Sequence, residues 1–114
     1  MFVSITLVRL KSPIYIPKLI RYASPVFGAI NKEKCLHVSS SGLWLNHYTM
    51  TVWKKETDVI DLFKSPEHRM AMAQTQKMAS NVKFYKAEME KKPSWKEAKR
   101  LLHANGHGYK IKKQ

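Results

Sequence analysis

The side chains best suited to chemistry lie between His47 and His68. Imidazoles stand at His47 and His68, a hydroxyl at Thr51, an indole at Trp53 and a phenyl ring at Phe63. Histidine takes up or releases a proton near neutral pH, and aromatic rings offer flat apolar surface to a ligand. His68 closes the run Ser65-Pro66-Glu67-His68, which reads as a helix start, with Ser65 as the cap, Pro66 first in the helix and an acid in the first turn. There His68 can bond back to the cap, and the positive helix end favours its neutral form. Trp53, at a strand end, reads as packing first and as a stacking surface second. The lone cysteine, Cys35, reads as a small buried strand residue with no helix terminus to activate its thiol.

Other chemistries lack their residues. There is no G-x-G-x-x-G, no phosphate-binding loop, no C-x-x-C, no H-E-x-x-H and no G-x-S-x-G. The 8 acids stand mostly beside lysines and form no carboxylate pair, which argues against a hydrolase or kinase. A single cysteine excludes an internal disulfide framework and fits a reducing compartment.

The elements that must position these residues follow from periodicity. Phe2 to Leu10 alternates Val3, Ile5 and Leu7 with Ser4 and Thr6, so one strand face is aliphatic. Ile14 to Ile30 has helical spacing, with Ser24-Pro25 and Gly28 expected to end or bend it. Asn31 to Lys34 reads as a turn, Cys35 to Ser39 as a short strand, Ser39 to Gly42 as a turn, and Leu43 to Trp53 as a strand rich in aromatic and β-branched residues. Glu56 to about Ser80 reads as a helix in two pieces, broken at Ser65-Pro66, and Val82 to Met89 as a strand. Ser94 with Glu97 forms a capping box that opens a last helix, to about residue 105. Tyr85 and Met89 share a face and read as core, while His103 and His107 read as solvated.

This order predicts an α+β fold, a ferredoxin-like β-α-β-β-α-β sandwich with an added C-terminal helix, as one domain over 1–114: core about 1–90, helix about 94–105, basic tail 107–114. At 114 residues there is room for one core, which excludes Rossmann and TIM-barrel enzymes. Helices are expected on one face of the sheet. The strand from Leu43 to Trp53 has two mixed faces, so the other side is expected to be buried against a twin in a homodimer.

The formal charge is +13, from 21 bases and 8 acids. It divides as +4 over residues 1–30, +2 over 31–81 and +7 over 82–114, and the bases are interspersed with acids. That pattern reads mainly as solvated surface, with a nucleic-acid partner as the alternative. The third strand, Trp-Leu-Asn-His-Tyr-Thr-Met-Thr-Val-Trp, does not match the aromatic motif of RNA-recognition domains. Met1 to Leu10 has neither a basic leader nor a cleavage-site pattern, and no run reaches the ~20 apolar residues of a membrane span, so the cytoplasm is the expected location.

The segment Tyr48 to Ala71, with Thr51-Val52-Trp53 ending a strand, Phe63 ten residues after Trp53 and the restart Ser65-x-x-His68, resembles the dimeric α+β barrel superfamily of antibiotic-biosynthesis monooxygenase-like domains. Within it the chain is similar to an uncharacterised family related to spheroidene monooxygenase, whose C-terminal helix resembles Pro93-Ser94-Trp95-Lys96-Glu97-Ala98 with Leu101, Leu102, His103 and Gly106. The resemblance implies a monooxygenase-like protein that binds a small, largely apolar or aromatic molecule between sheet and helices. Trp53, Phe63, His47 and Thr51 would line that pocket, and His68 would be the catalytic, proton-transferring group. Some superfamily members use no cofactor and others bind haem. The haem-degrading branch has a histidine ten residues after an aromatic, but counting from Phe63 reaches Ala73, which cannot ligate iron. No metal site is expected, the cofactor is open, and a non-catalytic binding or assembly protein is a further alternative.

Overall fold

The computed structural model describes residues 1–30, 34–42 and 44–110, with backbone alone for 107–110. Strand β1 (Phe2–Leu10) is the centre of the sheet and pairs antiparallel with β3 (Asn46–Trp53) on one side and β4 (Ala79–Glu88) on the other. Beyond β3 lies β2 (Cys35–Ser41), and beyond β4 lies β5 (His107–Lys110). The five strands run in the order β2-β3-β1-β4-β5. Between them come α1 (Ile16–Ala29, after a 3-10 turn at Pro13–Tyr15), α2 (Glu56–Lys64), α3 (Pro66–Met78) and α4 (Trp95–Asn105).

Alternation along β1 and β3 divides their side chains between two environments. The register sets Val3 against Val52, Ile5 against Met50 and Leu7 against Tyr48. These six are buried with Ala98 and Leu102 of α4, and Tyr85, Met89 and Trp95 pack against them. α4 reaches this position from a firm start, because the Ser94 hydroxyl accepts from the backbone N–H of Glu97. Burying a leucine such as Leu102 contributes about 1.5–3 kcal/mol. The intervening pairs are Phe2–Trp53, Ser4–Thr51, Thr6–Thr49 and Val8–His47, and they face α1, α2 and α3. A second cluster of Phe2, Ile30, Cys35, Trp53 and Val59 fills one end of this side.

Helices therefore cover both faces, and the expectation of a bare second face is corrected. The chain's own α4 takes the place reserved for a twin, because Ala98 and Leu102 share one helix face and both dock on the aliphatic side chains. The segment expected to be a basic tail instead contributes β5, antiparallel to β4, after Gly106 caps α4; residues 111–114 lie outside the described residues. Ser39 to Ser41 extend β2 rather than turning. The reversal comes later, where Gly42 has φ +115° and Trp44 φ 63°, a region that glycine enters freely. A side chain at Gly42 would also collide with the carbonyl of Asn46. β3 accordingly starts at Asn46, not Leu43, and Leu43 lies outside the described residues, as do three of the four residues of the turn expected at 31–34.

Helix α1 runs through Ser24-Pro25 and Gly28 to Ala29 instead of ending there. Pro25 has no N–H for the carbonyl of Arg21, while the Ser24 hydroxyl donates to the carbonyl of Ile20 at 2.8 Å. None of α1's side chains is fully buried, although Leu19, Ala23, Val26 and Phe27 share one face at helical spacing. That face looks onto open space.

Candidate functional site

The open space under α1 is a cavity of about 390 Å³ between the helices and the sheet. Its floor is the second set of β1 and β3 side chains, Ser4, Thr6, Thr49 and Thr51, with Ser40 of β2 beside them. Its roof is apolar, from Leu19, Ala23, Val26 and Phe27 of α1, Leu62 and Phe63 of α2, and Ala71 and Met72 of α3. The register makes the floor a patch of two facing pairs, Ser4 with Thr51 and Thr6 with Thr49. Paired Cβ atoms lie about 5 Å apart across strands, and successive pairs are about 7 Å apart along them. Among the described residues these four hydroxyls make no hydrogen bond within the protein, so their donors and lone pairs face the cavity. Thr75, by contrast, donates its hydroxyl to the carbonyl of Ala71 at 2.7 Å and is already satisfied.

His68 enters from the start of α3. The hydroxyl of Ser65 accepts from the backbone N–H of His68 at 3.3 Å, which fixes the first turn, and the His68 ring lies 4.9 Å from that of Phe63 at 35°. Burial lowers the His68 pKa below its ordinary value of 6.5, so the neutral imidazole is favoured at pH 7. The cause is desolvation, where the sequence pointed to the helix end. His47 lies at the other end of the patch, with Nε2 donating to the carbonyl of Trp44 at 2.7 Å. Tyr48, one residue on, turns its ring to the aliphatic face, where its hydroxyl bonds Nε2 of His103 at 2.8 Å. His103 is thus exposed but partnered, not simply solvated.

The fold brings four of the five sequence-derived site residues, His47, Thr51, Phe63 and His68, to one cavity. It does not bring Trp53. That indole is 2% exposed and packs with Phe2, Ile30, Cys35 and Val59, because it faces Phe2 at the end of the ladder, one pair beyond the hydroxyl patch. Its Nε1–H is buried with no partner among the described residues, and the indole borders a separate cavity of about 190 Å³ with Lys34, Asp58 and Asp61. Sequence reasoning missed Ser4, Thr6 and Thr49. Their signal was present, because a central strand with small hydroxyl residues opposite its aliphatic ones leaves room on that side. Cys35 is buried, its thiol raised in pKa by burial, with Sγ 3.3 Å from the carbonyl of His37.

The cavity lining decides what can enter. Among the described lining residues there is no Lys, Arg, Asp or Glu, in a chain with 21 Lys and Arg. The carboxylates of a haem would find no cation there, so the lining does not fit that group. Among the described residues no three His, Cys, Asp or Glu side chains cluster as a metal site.

This architecture recurs in solved structures. A Mycobacterium tuberculosis protein superposes with a TM-score of 0.69 at 10% identity, over 82% of this chain and 100% of that one. An antibiotic biosynthesis monooxygenase superposes at 0.66 and 10% identity, with 82% and 100% covered. The chain has the ferredoxin-like fold of the antibiotic biosynthesis monooxygenase-like proteins. A dimeric ferredoxin-like protein of unknown function from Thermobifida fusca shares that fold at 0.64 and 15% identity, over 77% of this chain and 90% of that one. No family model matches the sequence, and no curated protein matches it. At these identities the likeness concerns the fold, and the narrower resemblance to the family related to spheroidene monooxygenase rests on sequence motifs alone. Among the described residues no helix is long and apolar enough to cross a membrane.

Proposed function

We propose that the chain is a cytoplasmic, homodimeric, monooxygenase-like protein whose cavity binds a small, uncharged molecule with one apolar side and one hydrogen-bonding side. The observation that carries this reading is the lining itself: among the described residues, four hydroxyls without a protein partner below, apolar side chains above, and no charged group. Phe63 offers its ring to the apolar side, while Thr51 and its neighbours meet carbonyl or hydroxyl groups. A ligand so placed is held on a rigid ladder, which supplies orientation and excludes water. His68 is held neutral by burial at the edge of the same space and can accept a proton from an acidic O–H or C–H of the ligand. Electrons for oxygen reduction would then come from an oxidisable substrate. RNA-recognition domains stack bases on an open sheet face, whereas here the aliphatic face lies beneath α4, so the nucleic-acid alternative gains no support from the fold.

The reading is tested with two probes of matched shape, neutral naphthol and anionic naphthoate, titrated by fluorescence at moderate salt. Naphthol is expected to bind at least about tenfold more tightly, because the carboxylate would be desolvated without a cation. Phe63→Ala and His68→Ala should each weaken naphthol binding. Equal or tighter binding of naphthoate would overturn the ligand class. Oxygen uptake with a neutral, oxidisable aromatic, lost in His68→Ala, separates catalysis from binding alone.

A further inference from the structure

The residues that line the large cavity are not equally covered. Those from β1, β3, α2 and α3 are buried or half-buried, whereas Ile20, Ser24 and Phe27 of α1 and Ser40 and Gly42 at the end of β2 are exposed. The cavity therefore opens between α1 and β2. The cause is the lean of α1, which packs along α3 and leaves the stripe Ile20, Ser24, Phe27, spaced i, i+4, i+7, exposed at its other edge. The exposed apolar side chains gather at this opening. Among the described residues seven large apolar side chains are exposed, and six of them lie on the α1 segment or the β2–β3 hairpin: Ile14 (74%), Ile20 (60%), Phe27, Leu36, Val38 and Trp44 (66%). Val38 pairs with Thr51, which puts it on the cavity's side of the sheet. The charge nearby has one sign. The first 55 residues hold eight Lys or Arg and one acid, Glu33, and from Cys35 to Trp53 no residue is Lys, Arg, Asp or Glu. Lys18 and Arg21 stand exposed on α1, beside Ile20.

We propose that this rim, α1 with the β2–β3 hairpin, docks on an anionic lipid bilayer and holds the mouth of the cavity against it. Helices that lie in a membrane surface combine apolar side chains that enter the acyl boundary with bases that meet lipid phosphates, and tryptophan favours the same depth. The rim has all three. A nucleic acid would meet the bases but gain nothing from Ile14, Ile20 or Val38, and a second copy would bring Lys18 and Arg21 against like charges. An acidic protein seated here would seal the cavity, whereas a fluid bilayer leaves the mouth open to a phase in which an uncharged, partly apolar molecule concentrates. That last step rests on the ligand reading above; the docking surface itself rests on exposure and charge.

Flotation of the full chain with vesicles of phosphatidylcholine, alone or mixed with phosphatidylglycerol, tests the surface. Affinity should be at least about tenfold higher for the mixed vesicles and should fall by at least about tenfold as salt rises from about 0.05 M to about 0.5 M. Fluorescence should shift to shorter wavelength on binding, and Trp44→Phe should remove most of that shift, because Trp44 is the exposed indole on the rim. Ile14→Glu, and separately Lys18→Glu with Arg21→Glu, should each weaken binding to mixed vesicles by at least about tenfold. Melting temperature and naphthol binding should be kept, since these three side chains are exposed and line no part of the cavity. Lys91→Glu with Lys92→Glu changes the same charge on the turn before α4 and should alter affinity less than about threefold. An equal loss in that control would assign the binding to net charge alone and overturn the proposal. Equal binding to both kinds of vesicle, or binding to neither, would overturn it as well. So would an Ile14→Glu chain that changes its oligomeric state while binding vesicles as before, which would give the rim to a second copy. Vesicle binding that holds while naphthol fails to bind would leave this surface standing and overturn only the ligand reading.

Discussion

β1 and β3 carry two sets of alternating side chains on the same backbone ladder, with opposite outcomes. On one face Val3, Ile5, Leu7, Tyr48, Met50 and Val52 are closed over by Ala98 and Leu102 of α4. On the other, Ser4, Thr6, Thr49 and Thr51 lie under α1 and α3 with a cavity of about 390 Å³ between. Hydroxyl side chains are short and hydrophilic and do not draw a helix down onto them, so the roof rests on the larger residues around the patch. The aliphatic face gives stability and the hydroxyl face keeps space. A small domain can thus divide close packing and open space across the thickness of one sheet.

Leu102→Ala tests this division with the largest effect. It should cost about 2–5 kcal/mol by calorimetry or urea unfolding, since Leu102 is fully buried and leaves a void, while naphthol binding to the folded protein stays near wild type. A large loss of affinity in folded protein would show that the two faces are coupled. Thr51→Val should do the reverse. Its hydroxyl has no partner among the described residues, so unfolding free energy should stay level or rise by up to about 1 kcal/mol, while naphthol binding weakens several-fold. A stability loss beyond about 1 kcal/mol would mean that the hydroxyl patch is structural.

The smallest effect concerns pH. His68 has a folded-state pKa below 6.5, so between that value and 6.5 the unfolded chain binds the proton more readily. Stability should therefore fall as pH is lowered below about 6.5, with no contribution from this group above it. In His68→Gln that part of the slope should vanish from denaturation curves measured between about pH 5.5 and about pH 7.5. An unchanged slope would place His68 in contact with water and weaken its role as a neutral base.

Much of the fold was legible from local signals. Alternation in Phe2 to Leu10, the caps at Ser65 and Ser94, and the break before Pro66 all appear where the sequence placed them, because each depends on neighbours within about one turn or one pleat. The misses were non-local. Pro25 and Gly28 are helix breakers in isolation but continue α1, and β5 is a strand that exists only because β4 offers it an edge. For the site, parity along the third strand put His47 and Thr51 on one face, and the cap at Ser65 set His68 at the third helical position. The same parity carried Trp53 along, although it is the pair with Phe2 and the packing of Ile30, Cys35 and Val59 that remove it from the cavity.

By itself the sequence determined which residues alternate, where helices start, that there is one core, and that charge is absent from the β2–β3 hairpin. Those properties are written in short-range spacing and composition. Only the tertiary structure decided which face each helix covers. Whether α4 or a second chain closes the aliphatic side depends on where α4 comes to rest, and here Ala98 and Leu102 bring it onto that face. The cavity, likewise, is set by the distance at which α1 comes to rest above four hydroxyls, a distance that side chains remote in sequence fix together.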